Sequence, residues 1–97
     1  MTRRVLMYER PYYDRSGERS QLLYYLLIDQ VFFGCNSLDV YGVRVEHYQG
    51  DRLLGFRAVR GITPFGPRAT ALVNRLADGL ILPASVEKML PGGSSCR

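Results

Sequence analysis

His47, Cys35 and Cys96 are the only imidazole and the only thiols in this chain, so any nucleophilic or metal chemistry must be built from very few groups. A Cys35–His47 pair could serve as nucleophile and base if the fold made the two neighbours. No motif for an oxyanion hole or an activated thiol accompanies them, and neither cysteine has a second cysteine or histidine at metal-ligand spacing. The sequence has no Gly-x-x-x-x-Gly-Lys, His-Glu-x-x-His or Gly-x-Gly-x-x-Gly. Asp29 and Asp39 bracket a central loop, and Glu46 is expected to face outward beside Arg44. Such acids serve far more often in surface ion pairs than as the two carboxyls of a glycosidase-type site. His47 falls on the same alternating face as Val43 and Val45, near a strand end, where a half-buried imidazole with one hydrogen bond is ordinary. These patterns assign no catalytic residue, no metal site and no cofactor, and the expectation is a protein that is not an enzyme.

Arginine is the more informative residue. Of thirteen basic side chains only Lys88 is a lysine, and the formal net charge is +4. Residues 1–48 carry six arginines against six acids, whereas the stretch from Arg52 to Arg75 holds five arginines and no acid. Arg52, Arg57, Arg60, Arg68 and Arg75 are therefore the candidate patch for an anion or a nucleic acid, since guanidinium groups fork onto phosphates bidentately. Arg68 and Arg75 are seven residues apart, on one side of a helix. Arg68 also falls in the first turns, where the helix dipole disfavours a cation, and a phosphate held by the Gly66 backbone, Arg68 and Arg60 would relieve that conflict. The competing arrangement has the same arginines lying over a small core with their charges in water. The seven tyrosines divide likewise between stacking platforms for single-stranded nucleic acid and core or interface contacts.

The elements that would position these groups read as strands first and helices afterwards. Residues 3–9 alternate weakly and form a first strand. The segment 20–29 is apolar almost throughout, with Leu22, Leu23, Tyr24, Tyr25, Leu26, Leu27 and Ile28, as expected of a central strand covered on both faces. A loop over Gly34–Ser37 precedes an alternating strand at 40–48, and Gln49-Gly50-Asp51 turns it into a returning strand at 52–59. Phe65, Ala69, Leu72, Val73, Leu76 and Leu80 form one stripe at helical spacing. Thr63-Pro64 or Gly66-Pro67 would start that helix and Gly79 would stop it. Pro83–Leu90 predicts a second, short helix. This order predicts an α+β fold in which an antiparallel sheet of about four strands precedes two helices packed on one face. The domain would span 1–91, with a flexible tail at 92–97. Leu23, Tyr25 and Leu27 share the alternate face of the apolar strand and are the candidate interface, through which the protein would self-associate.

Leu22–Leu26, Tyr41-Gly42-Val43-Arg44-Val45-Glu46, Val59-Arg60-Gly61-Ile62-Thr63 and Leu82-Pro83-Ala84-Ser85-Val86 together resemble a domain-of-unknown-function family of short proteins from spore-forming Gram-positive bacteria, over roughly residues 20–90. The resemblance implies this fold and a cytoplasmic address, with no established activity. The family pattern places a histidine two residues after the proline and an acid shortly beyond, where this chain has Ser85 and Lys88, so no role resting on that histidine is carried over. The first residues contain only the apolar run Val5–Met7, too short for a secretory leader, and Leu22–Ile28 is too short to span a bilayer. The expectation is a small cytoplasmic interaction or regulatory module with an unknown protein partner or a second copy of itself. The alternative is a binder of nucleic acid or a phosphate ligand through residues 52–75.

Overall fold

The computed structural model describes residues 2–90; the tail expected at 92–97 lies outside them. Four strands, β1 (Thr2–Tyr13), β2 (Arg19–Phe33), β3 (Asn36–Gln49) and β4 (Arg52–Thr63), are followed by helix α1 (Gly66–Asp78) and a 3-10 helix, Pro83–Met89. Each strand pairs antiparallel with the next, so the order across the sheet is β1-β2-β3-β4, a meander. The strands are longer than the alternation predicts. The expected loop at 34–37 shrinks to Gly34-Cys35, and Gly34 and Gly50 take left-handed φ angles of 63° and 62° in the two-residue turns they begin. Pro11 sits within β1 at the sheet edge, the place where a strand tolerates a missing amide proton.

The inner face of the sheet is built by alternation. Leu22, Tyr24 and Leu26 of β2 lie beside Val43 and Val45 of β3, and all are buried beneath α1, which contributes Ala69, Leu72, Val73, Leu76 and Ala77. Val86 of the 3-10 helix completes this core. The Tyr24 hydroxyl donates to the Ile81 carbonyl at 3.1 Å, so the largest core side chain brings its polar end to a partner. Burial pushes the Tyr24 phenol up to about 12, which keeps that donor protonated.

The second of the two possible starts is the one α1 uses: Phe65 is the N-cap, and the helix opens with Gly66-Pro67. Thr63 instead accepts the Phe65 amide on its Oγ1 at 3.1 Å, fixing the turn before the helix. At the other end Gly79 is the C-cap with an ordinary φ of −88°, and the left-handed position falls on Leu80 at φ 50°. The amides of Leu80 and Ile81 bond back to the carbonyls of Ala77 and Leu76, which is a Schellman cap with leucine where glycine is usual. The glycine therefore stands one residue before the position whose backbone would benefit from it.

At one end β2 and β3 outrun their neighbours. The last partners across the outer pairs there are Thr2 with Asp29 and Tyr41 with Thr63, so residues 30–39 form a ribbon of two strands alone. Val31, Phe32, Phe33 and Leu38 are exposed along it. Where β3 meets β4, Gly42 lies so near its neighbour that an added β-carbon would collide with the Val59 carbonyl oxygen and the Arg60 backbone. Glycine is required there by space.

Gly42→Ala is expected to lower the unfolding free energy by about 1–3 kcal/mol through overpacking. Gly55→Ala, which meets nothing within 4 Å at a φ other residues adopt, should change it little. Urea unfolding of the two variants checks the difference. Leu80→Gly is expected to raise the thermal midpoint, since relieving a left-handed leucine is worth about 1 kcal/mol.

Candidate functional site

Cys35 lies at the tip of the two-stranded ribbon and is exposed, whereas His47 stands near the far end of β3. A strand rises roughly 3.3 Å per residue, so the intervening extended backbone separates them by roughly 35 Å. The structure does not bring them together. His47 meets Ser20 instead, with Nε2 2.7 Å from Oγ, and its ring packs edge-on against Tyr12 at 5.6 Å between centroids. The Ser20 hydroxyl also lies 3.2 Å from the Tyr12 carbonyl, which can accept its proton. Through these two contacts Ser20 of β2 links Tyr12 of β1 to His47 of β3. Nothing about Ser20 in the sequence distinguishes it from any polar strand residue.

The outer face, away from the helices, is built in rows across the register. Leu6, Tyr25, Arg44 and Ala58 form one row, and Glu9, Leu23, Glu46 and Phe56 the next. Arg4, Leu27 and Gly42 lie on one side of these, and Thr2, Asp29 and Val40 beyond. Leu23, Tyr25 and Leu27 thus share a face, as their alternation predicts, but only Leu23 and Tyr25 are partly open; Leu27 is 4% exposed. Leu6 and Phe56, at 48% and 53% exposure, were not apparent as part of this surface, because their places depend on which strands neighbour β2.

Glu46 corrects a simpler expectation. It does face outward beside Arg44, yet it is buried, accepting from Arg44 Nε at 2.6 Å and Arg4 Nη1 at 3.0 Å. Those arginines also lie over aromatic rings, Arg44 over Phe56 at 4.2 Å and Arg4 over Tyr25 at 5.1 Å. Two planar cations therefore roof one carboxylate in the middle of the face.

The five arginines of the candidate patch are dispersed. Arg60 lies on the outer face, where Nε and Nη2 donate to Asp29 at 2.9 and 2.7 Å and Nη2 also reaches Thr2. Arg57 pairs with Glu87 of the 3-10 helix, and Arg52 begins β4 beside the tight turn. Arg68 and Arg75 remain together, lining a cleft between the end of β4 and the flank of α1. Arg68 also lies over the Phe65 ring at 5.6 Å. The acids that divide this patch, Asp29 and Glu87, lie 31 and 30 positions away from their partners in sequence, too far for local charge counting to anticipate.

Among the described residues no three of His, Cys, Asp and Glu cluster as metal ligands, and no helix is long and apolar enough to cross a membrane. The model of a family of unknown function, DUF6514, matches residues 3–90. No curated protein and no solved structure matches the chain.

The Arg60 and Thr2 hydrogen bonds hold the Asp29 carboxyl at about 2, below the ordinary value of 3.8. A carboxylate depressed by folding stabilises the protein above its ordinary value, and that contribution is lost as pH falls through the folded one. Stability should therefore drop between about pH 4 and 2, and Asp29→Asn should flatten that part of the profile. Urea midpoints measured across this window check it; identical slopes in the two proteins would show the pair to be idle.

Proposed function

The chain belongs to the DUF6514 family, and we propose that it acts as a small non-enzymatic interaction module that pairs with a second copy of itself through the outer face of its sheet. The observation that carries this reading is the uncovered row set around Tyr25. The helices lie on the inner face, while Leu6 and Phe56 stand half exposed on either side of Leu23 and Tyr25. Exposed aromatic and aliphatic groups beside charges that are already paired resemble the mix of groups found in interfaces between proteins.

A second copy is favoured over other occupants by charge. Arg4 and Arg44 share Glu46 and Arg60 holds Asp29, so most of the charge on this face is already paired within the chain and its apolar rows are left for a second copy. A two-fold interface places one patch against the same patch and requires self-complementarity. A cytoplasmic address belongs to the same reading, since exposed Cys35 would remain a thiol in a reducing compartment. Separation of Cys35 from His47 is consistent with a role that needs no chemistry.

Size-exclusion chromatography with light scattering tests the pairing. A dimer is expected for the wild-type chain, and Leu6→Asp with Phe56→Asp should shift it to monomer by at least tenfold in dissociation constant while leaving the circular dichroism unchanged. Leu23→Asp should act in the same direction. A wild-type chain that stays monomeric at millimolar concentration removes the reading.

A further inference from the structure

Of the five arginines in their stretch, Arg68 and Arg75, like Arg52, have no acid partner among the described residues, and these two line one cleft together. Arg57 and Arg60 each reach an acid, as do Arg4 and Arg44 elsewhere in the sheet. Among the described residues Arg68 and Arg75 make no ion pair, and the residues lining the cleft between them include no carboxylate. The cleft encloses about 380 Å³, within the range of small-ligand sites. Ile62, Ala71 and Leu72 supply an apolar floor, and the Thr63 hydroxyl and the two guanidinium groups supply polar edges.

The geometry points to a binding site for a small amphiphilic anion: a short alkyl or aryl body lying on Ile62, Ala71 and Leu72, with a carboxylate or phosphate monoester held by Arg68 and Arg75. Both parts of such a ligand have a counterpart. Seven helical residues place the guanidinium groups on one side of α1, roughly 10 Å apart along the axis and within side-chain reach of one another. Phe65 steadies Arg68, lowering the freedom it would lose on binding. Arg68 also stands in the first turn of α1, where the helix end repels a cation and an adjacent anion would offset that repulsion. Charge alone would suit any phosphate, and the apolar floor alone would suit any hydrocarbon. The two together select molecules that carry both. This site is on the helix side of the sheet and is independent of the pairing face.

The test is titration of the full ¹⁵N-labelled chain, followed by amide and arginine side-chain NMR, with four probes: hexyl phosphate, hexanoate, inorganic phosphate and hexanol. Hexyl phosphate or hexanoate is expected to shift Ile62, Ala71, Arg68 and Arg75 with a dissociation constant at least tenfold below those of inorganic phosphate and hexanol. Arg68→Gln and Arg75→Gln, both at exposed positions, should each weaken that binding about tenfold while leaving the circular dichroism unchanged. Equal binding of inorganic phosphate and hexyl phosphate would reduce the cleft to a surface charge and overturn the proposal. So would amphiphile binding that survives both substitutions, shifts confined to residues outside the cleft, or no shift with any probe at 10 mM or so.

Discussion

The burial of Leu22, Tyr24, Leu26, Val43 and Val45 under α1 and the 3-10 helix is the interaction on which the remaining structure depends. It uses the helical segments on one face of a sheet whose central strand is apolar on both. Fully burying one such side chain is worth about 1.5–3 kcal/mol, so a closely packed inner face can stabilise the domain while the outer face stays open. The helix and the segment after it are correspondingly tied down: Tyr8 bonds Asn74 within α1, and Tyr24 reaches the Ile81 carbonyl just past its end. The strained Leu80 backbone is held in place by the cap bonds around it.

What the outer face does with its apolar rows follows from that asymmetry. Glu46 is removed from water by two arginines that are themselves laid over aromatic rings, so the middle of the face is flattened and its charges internally satisfied. Removing one partner of a buried ion pair usually costs more than the pair contributes, because the other charge is left stranded. Arg60 and Asp29 repeat the device at the edge of the face, with Thr2 as third member. A surface whose charges are already spoken for presents mainly its shape and its hydrocarbon to a partner.

The sequence was legible wherever a signal is local. Alternation at 40–48, the glycine turn at 49–51 and the helical stripe from Ala69 to Leu76 each reappear as β3, the β3–β4 turn and α1. The meander and the two terminal helices follow from their order. The ends were less legible: β2 and β3 continue through Phe33 and Asn36 because strand pairing carried them past the point where apolar character thins. The helix stops at Gly79 as its sequence predicts, but the left-handed position that glycine would favour falls one residue later, on Leu80. For the candidate site the division is sharper. Leu23, Tyr25 and Leu27 were found by parity, whereas their neighbours Leu6 and Phe56, the burial of Glu46, and the dispersal of Arg57 and Arg60 depend on register across three strands. The cleft at Arg68 and Arg75 needs both the helix spacing, which is local, and the placement of Ile62, which is not.

The meander has a consequence for the order in which the molecule can be assembled. Each strand pairs with the one made immediately before it, so the sheet requires no segment to wait for a distant partner, and its hairpins can close as the chain lengthens. The layer that covers the inner face, however, is encoded after the last strand. Until α1 exists, Leu22, Tyr24 and Val43 stand open on one side while Leu23 and Tyr25 stand open on the other. A nascent chain reaching only to Thr63 is a two-faced apolar sheet, the species most prone to stack upon its own copies. The late helix thus covers one of two apolar surfaces, and it fixes at which moment a growing chain stops exposing both and exposes one.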